Sequence, residues 1–168
     1  DNNTSVGQGS LTANTTGGSN AAVGKDALAA NTSGSANIAV GANALDANTG
    51  GASNTAIGYL ALTANTTANN NTSVGRSALA ANTTGPNNVA VGNYTFAGNT
   101  TGSENTGLGY GVGQANTTGA NNVAVGTWAL LNNTTGGQNI ALGRSAGDVT
   151  TTGSNNITIG YGADPTGA

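Results

Sequence analysis

A strict repeat of 17 residues runs through the whole chain. Asparagine recurs ten times at this step, and a glycine follows each asparagine four residues later, without insertion or deletion. The consensus is N-x-A-V-G-x-x-A-L-x-A-N-T-T-G-x-x, and repeat positions are counted from this first asparagine, which is Asn3 in coil 1 and Asn156 in coil 10. In a stack of coils, one added residue would shift all later coils out of register with the earlier ones. Independent domains joined by linkers tolerate changes in linker length. The constant period therefore predicts a solenoid.

The first five repeat positions predict a short strand that ends in a bend. The fourth position is always a branched apolar residue, and the second, on the same face, is Thr, Ala, Ile or Val. Glycine at the fifth position suits a bend with positive φ. Asn-Gly and Asp-Gly, the strongest hairpin signals, do not occur. We therefore expect an all-β parallel β-solenoid (β-roll) of ten 17-residue coils, with Val23, Val40 and Ile57 in one column. Residues 1–163 would form it, and 164–168 a C-terminal tail or cap.

The third repeat position holds small residues in nearly every coil. It faces opposite to the valine row, where a solvent face would accept large polar side chains. Small residues indicate that another backbone approaches closely, from the same coil or from a neighbouring chain. We therefore expect a homotrimer with these strands near its axis, and a flattened monomer in which these small side chains pack internally is the alternative.

Composition excludes several kinds of chemistry. The chain has no histidine and no cysteine, which rules out zinc, haem, thiolate and Ser-His mechanisms. Three basic residues are too few to neutralise a row of phosphates, so nucleic acid is not an expected partner. No apolar run approaches the roughly 20 residues that span a bilayer. Asp46 and Asp148 share a repeat position but lie six coils apart, too far for a catalytic pair. We predict a protein that is not an enzyme and has no cofactor or dedicated metal site.

Asparagine also forms a second row, at the twelfth position. Stacked identical asparagines can hydrogen-bond amide to amide along the rod, which predicts a structural ladder. Several also stand in N-x-S/T sequons, such as Asn82-Thr83-Thr84, so glycosylation is a further hypothesis.

Threonine fills the thirteenth position of every complete coil. An exposed threonine array at strand spacing resembles the faces of β-solenoid ice-binding proteins, whereas a threonine ladder that supports the turn is the structural alternative. The residues of this array are Thr15, Thr32, Thr49, Thr66, Thr83, Thr100, Thr117, Thr134 and Thr151.

The sixth and seventh positions follow the glycine bend and vary most. All three basic residues and five of the six aromatic residues occur there, among them Lys25 beside Asp26. We expect this corner to project outward, and Tyr, Trp and Arg are the residue types that dominate binding energy at interfaces. The candidate ligand-binding residues are Tyr59, Arg76, Tyr94, Tyr110, Trp128, Arg144 and Tyr161.

The repeat resembles two groups of fibrous proteins. Asn88-Val89-Ala90-Val91-Gly92 and Asn156-Ile157-Thr158-Ile159-Gly160 resemble the head repeats of trimeric autotransporter adhesins, which are left-handed parallel β-rolls. The longer segment from Asn54 to Thr67 resembles repeats of phage tail-fibre and surface proteins. The resemblance implies a homotrimeric head or shaft segment, extracellular, on a cell surface or in a virion fibre, that attaches to host-cell or matrix glycans or proteins or to a substratum. An ice-binding solenoid and a purely structural filament or spacer remain the alternatives.

Overall fold

The computed structural model describes residues 2–165 and contains ten strands of three residues each. They form one parallel sheet in chain order. The strands are β1 (Thr4–Val6), β2 (Ala21–Val23), β3 (Ile38–Val40), β4 (Thr55–Ile57), β5 (Thr72–Val74), β6 (Val89–Val91), β7 (Thr106–Leu108), β8 (Val123–Val125), β9 (Ile140–Leu142) and β10 (Ile157–Ile159). The predicted all-β parallel solenoid with one coil per repeat is confirmed.

The register of the sheet follows the repeat directly. Val23 pairs with Val40, and Val40 pairs with Ile57, so the predicted column is present. Each strand from β1 to β9 pairs with the residues 17 positions further on, because each coil adds one equivalent layer to the ladder. Asp164 and Pro165 of the predicted tail lie outside any strand, and 166–168 lie outside the described residues.

The glycine bend after each strand has a backbone that only glycine adopts readily. At Gly75 φ is +131°, and a Cβ built there would lie 2.6 Å from the carbonyl carbon of Gly92 in the next coil. The expected positive φ at the fifth position is therefore confirmed, and close stacking of coils adds a second reason for glycine.

In most coils the interior consists of small residues packed around one leucine. The third-position side chains, such as Ala39 and Ala56, are fully buried together with the eighth-position Ala61 and the ninth-position Leu62. The small third position thus packs against side chains of the same chain, as at Gly107, where the nearest atoms belong to the side chains of Phe96 and Thr95. Leu62 has a φ of 54°, a left-handed conformation that is unusual for leucine. This turn aims the ninth side chain inward.

Two asparagine ladders occupy buried corners of the coil. At the twelfth position, Asn48 Nδ2 donates to Asn31 Oδ1 (2.8 Å) and to the carbonyl of Gly51 (3.0 Å). At the first position, Oδ1 of Asn37 accepts from the backbone N–H of Asn54 (2.9 Å). Amide-to-amide stacking is confirmed at the twelfth position. These bonds satisfy turn groups that would otherwise be buried without partners.

Candidate functional site

The outer face of the ten strands is uncharged and mostly apolar, with threonine at four of the second positions (Thr4, Thr55, Thr72 and Thr106). Second-position and fourth-position side chains point outward along the whole sheet, and none of these 20 positions carries a charge. Many large hydrophobic residues are exposed there, such as Val40 (37%) and Leu108 (51%), whereas Val74, Val91 and Val125 are half-buried. We call these two columns over β1–β10 the strand face. Exposed apolar patches of this continuity are characteristic of interaction surfaces.

Sequence reasoning missed the exposure of the strand face. Alternation with a period of two shows which residues share a face, but it does not show which face is inside. The volume of the side chains could have shown which face is buried. A 17-residue coil has little interior, and alanine rather than valine fits opposite the inward leucine.

The corner that follows the glycine bend brings four of the candidate binding residues into contact. The guanidinium carbon of Arg76 lies 5.8 Å from the ring centroid of Tyr59 and 5.6 Å from that of Tyr94. Tyr94 and Tyr110 pack edge to face, with centroids 6.0 Å apart. These four residues form the Arg76 cluster. The contacts are cation–π and aromatic interactions, worth about 0.5–1 kcal/mol each at exposed sites.

The other three candidate residues form a second group, the Arg144 cluster. The guanidinium carbon of Arg144 lies 4.9 Å from the ring centroid of Trp128 and 5.4 Å from that of Tyr161. Arg144 Nη1 also donates a hydrogen bond to the Tyr161 hydroxyl (3.0 Å). Sequence therefore identified the corner, and the structure divides its residues into two clusters. Trp128 and Tyr94 reach the corner through left-handed backbone, with φ of 64° and 60°.

The predicted threonine array is present and bonded from coil to coil. Thr49 Oγ1, for example, donates to the carbonyl of Thr66 (3.2 Å), and the same bond recurs along the column. The hydroxyl protons are therefore engaged within the chain, as expected for a ladder that supports the turn. These side chains are half-buried or exposed, and they lie in a bend rather than in a strand.

The sequon asparagines of the twelfth position are buried in the folded chain, except for the half-buried Asn14 of coil 1. Asn82 is fully buried, and its Nδ2 donates to Asn65 Oδ1 (3.3 Å) and to the carbonyl of Gly85 (3.0 Å). Both amide protons are thus occupied. Glycosylation of Asn82 would have to precede folding.

Within residues 2–165 no group of three or more Asp or Glu side chains could hold a metal ion. The same residues contain no helix of the length and apolar character that crossing a membrane requires. Comparison of the chain with family models, with curated proteins and with solved structures gave no match.

Proposed function

We propose that this chain is a segment of an extracellular fibre, the head or shaft of a surface adhesin, that is not an enzyme and works as a homotrimer. The observation that carries the proposal is the strand face, which is uncharged, mostly apolar and continuous over ten coils. Nine steps of about 4.8 Å and a width of about 10 Å give it an area on the order of 400 Å². A solvent-exposed monomer gains nothing from such a surface.

A second copy of the same chain is the partner that fits the strand face best. Each coil presents the same two columns, so parallel copies match coil by coil, and an uncharged surface needs no complementary charge. The number of copies and the left-handed winding come from the resemblance to trimeric adhesin heads. Attachment to cells, glycans or a substratum is assigned to the two aromatic clusters at the adjoining corner.

Native mass measurement tests this assembly. A trimer of the 15.9 kDa chain has a mass of about 48 kDa. Replacing Val23, Val40 and Ile57 with lysine places three charges per chain on the strand face, and we expect dissociation to monomers that keep a β-rich circular dichroism spectrum. Lysines at the exposed Thr67, Thr84 and Thr101 are the matched control and should leave the trimer intact. A native chain of 15.9 kDa would refute the proposal.

Ice binding is the second candidate function, favoured by the threonine array itself, which presents one half-buried or exposed threonine in every complete coil along the rod. It requires thermal hysteresis of the purified protein in solution. Hysteresis that is lost when Thr66 and Thr83 are replaced by lysine would support ice binding over adhesion. Fibres seen by electron microscopy, without hysteresis or attachment to any surface, would indicate a purely structural filament.

A further inference from the structure

Both arginines of the corner lie between aromatic rings and have no anionic partner. The ion pair between Lys25 and Asp26, with an N–O distance of 3.4 Å, is the only one within residues 2–165. A guanidinium stacked on rings keeps its N–H edges directed to solvent, and the rings restrict its motion. Arg76 and Arg144 are therefore two exposed, pre-oriented cations that are open to an external anion.

In the coils around these arginines, the sixth and seventh repeat positions carry a net positive charge, although the chain as a whole carries a net charge of −3. From coil 4 to coil 10, the sixth and seventh positions contain two arginines and no acidic residue. The acidic residues of these coils stand at other repeat positions, Glu104 at the seventeenth and Asp148 and Asp164 at the tenth and ninth. The corner is thus a local anion-attracting stripe on an acidic chain.

The rings of the two clusters offer apolar surface and free hydroxyls beside each cation. Tyr59, Tyr110 and Tyr161 are 49%, 48% and 78% exposed. Among the described residues the hydroxyls of Tyr59, Tyr94 and Tyr110 make no hydrogen bond, in contrast to that of Tyr161. Flat rings with a polar edge pack against the apolar face of a sugar ring and hydrogen-bond its hydroxyls.

We propose that the corner binds an acidic polysaccharide that lies along the rod. Its carboxylate or sulfate groups would pair with Arg76 and Arg144, and its sugar rings would pack on the adjacent tyrosines and Trp128. The two arginines are four coils apart, about 19 Å, so a polymer reaches both clusters where a single sugar cannot. Simultaneous contact with both clusters strengthens weak individual sites through avidity. The inference rests on the proposed adhesive function and names its class of ligand.

Trp128 provides the test, because it is the single tryptophan of the chain and lies against Arg144. The native protein is titrated with hyaluronan oligosaccharides (carboxylate groups), with heparin (sulfate groups) and with neutral dextran, while tryptophan fluorescence is recorded. We expect a saturable change with at least one of the acidic polymers and none with dextran. The comparison of hyaluronan with heparin identifies which anion is preferred.

Three single substitutions define the role of the arginine. Arg144→Gln removes a charge-assisted pair and should weaken binding at least about tenfold. Arg144→Lys keeps the charge but loses the planar fork, and it should fall between Gln and the native residue. Lys25→Gln is the matched control, since it changes the same charge at the same repeat position, outside both clusters, and should leave affinity unchanged.

Two results would overturn the inference: dextran binding as tightly as the acidic polymers, or Arg144→Gln binding like the native protein. Native mass is measured on the same samples. A trimer that binds no acidic polymer refutes the ligand class and leaves the fibre assignment standing. A monomer that binds one through Arg144 refutes the assembly and leaves the ligand class standing.

Discussion

The two halves of the rod have the same backbone but differently built interiors. In residues 20–87, the regular half, every coil has leucine at the ninth position and asparagine at the twelfth. In residues 88–155, the substituted half, the ninth position is Phe96, Gly113, Leu130 and Gly147, and Thr150 ends the asparagine row. Strand length and register are nevertheless the same in both halves. Backbone ladders and glycine bends therefore define the coil, and the core residues only have to fill it.

The substituted half keeps its interior filled by exchange between neighbouring coils. Phe96 is buried where leucine stands elsewhere, and its ring occupies the volume beside two glycines. A Cβ built at Gly107 would lie 2.7 Å from Phe96 Cε2, and one built at Gly113 would overlap Phe96 Cε1. One large residue thus compensates for the missing side chains of the next coil. Because protein interiors are close-packed, the volume left by the two glycines has to be filled by a neighbouring side chain.

The largest expected effect comes from undoing this exchange one residue at a time. Gly113→Leu restores the leucine row but places its side chain in the volume of the Phe96 ring, and we expect a loss of about 3 kcal/mol or more in the free energy of unfolding. Phe96→Leu leaves a cavity and should cost about 1–2 kcal/mol. The double substitution restores leucine at the ninth position of both coils and should recover part of both losses, since Gly107 still lacks a side chain. Urea denaturation of the four proteins measures this cycle.

If the changes in unfolding free energy caused by Gly113→Leu and Phe96→Leu simply add, the Phe96 ring does not compensate for the missing side chain at Gly113. Contacting residues in a shared cavity usually show interaction energies of about 0.5–3 kcal/mol. The control pair is Leu45→Ala with Gly113→Leu, four coils apart, which should add without an interaction term.

Sequence could predict the regular features of this molecule because they repeat. The 17-residue period predicted the coil. The row that contains Asn48 predicted the ladder, and the glycine row that contains Gly75 predicted the bend. Sequence could not predict the left-handed backbone at Leu62 or Trp128, since both residue types disfavour positive φ in isolation. Stacking in the assembled rod stabilises that conformation.

The candidate site was only half predictable, for a related reason. Shared repeat position placed Arg76 and Tyr59 in one corner, because the period brings equivalent positions into columns. The division into two clusters depends on which neighbouring coils carry rings. The strand face depended on which side of the sheet is buried, and the alternation of residues such as Ala56 and Ile57 does not specify this.

A smaller loss of stability is expected when the asparagine ladder of the regular half is interrupted by a threonine, as Thr150 interrupts it in the substituted half. Asn82→Thr would remove the donors to Asn65 Oδ1 and to the Gly85 carbonyl and the acceptor for Asn99 Nδ2, which donates at 2.8 Å. Buried groups left without partners cost about 1–3 kcal/mol, so we expect a loss of about 2 kcal/mol in the free energy of unfolding. Thermal or urea denaturation measures it. Thr84→Ser, on the exposed side of the same turn, is the control and should change stability by less than about 0.5 kcal/mol.

The smallest expected effect is a gain from the reverse substitution. Thr150 Oγ1 and Asn133 Oδ1 are both buried without a hydrogen-bond partner, and the two residues occupy the successive twelfth positions at which the asparagine ladder ends. An asparagine at position 150 would supply the donor that Asn133 Oδ1 lacks. Its amide would also donate to the carbonyl of Gly153, as the twelfth-position asparagines of other coils do to the carbonyl three residues further on. We expect Thr150→Asn to stabilise the protein by about 1 kcal/mol. In a stack of coils this gain is local, so hydrogen exchange of the amides in residues 139–155 should slow more than that in residues 20–36. Equal slowing in both segments would mean that the rod unfolds as one unit, and no slowing would mean that the ladder break costs nothing.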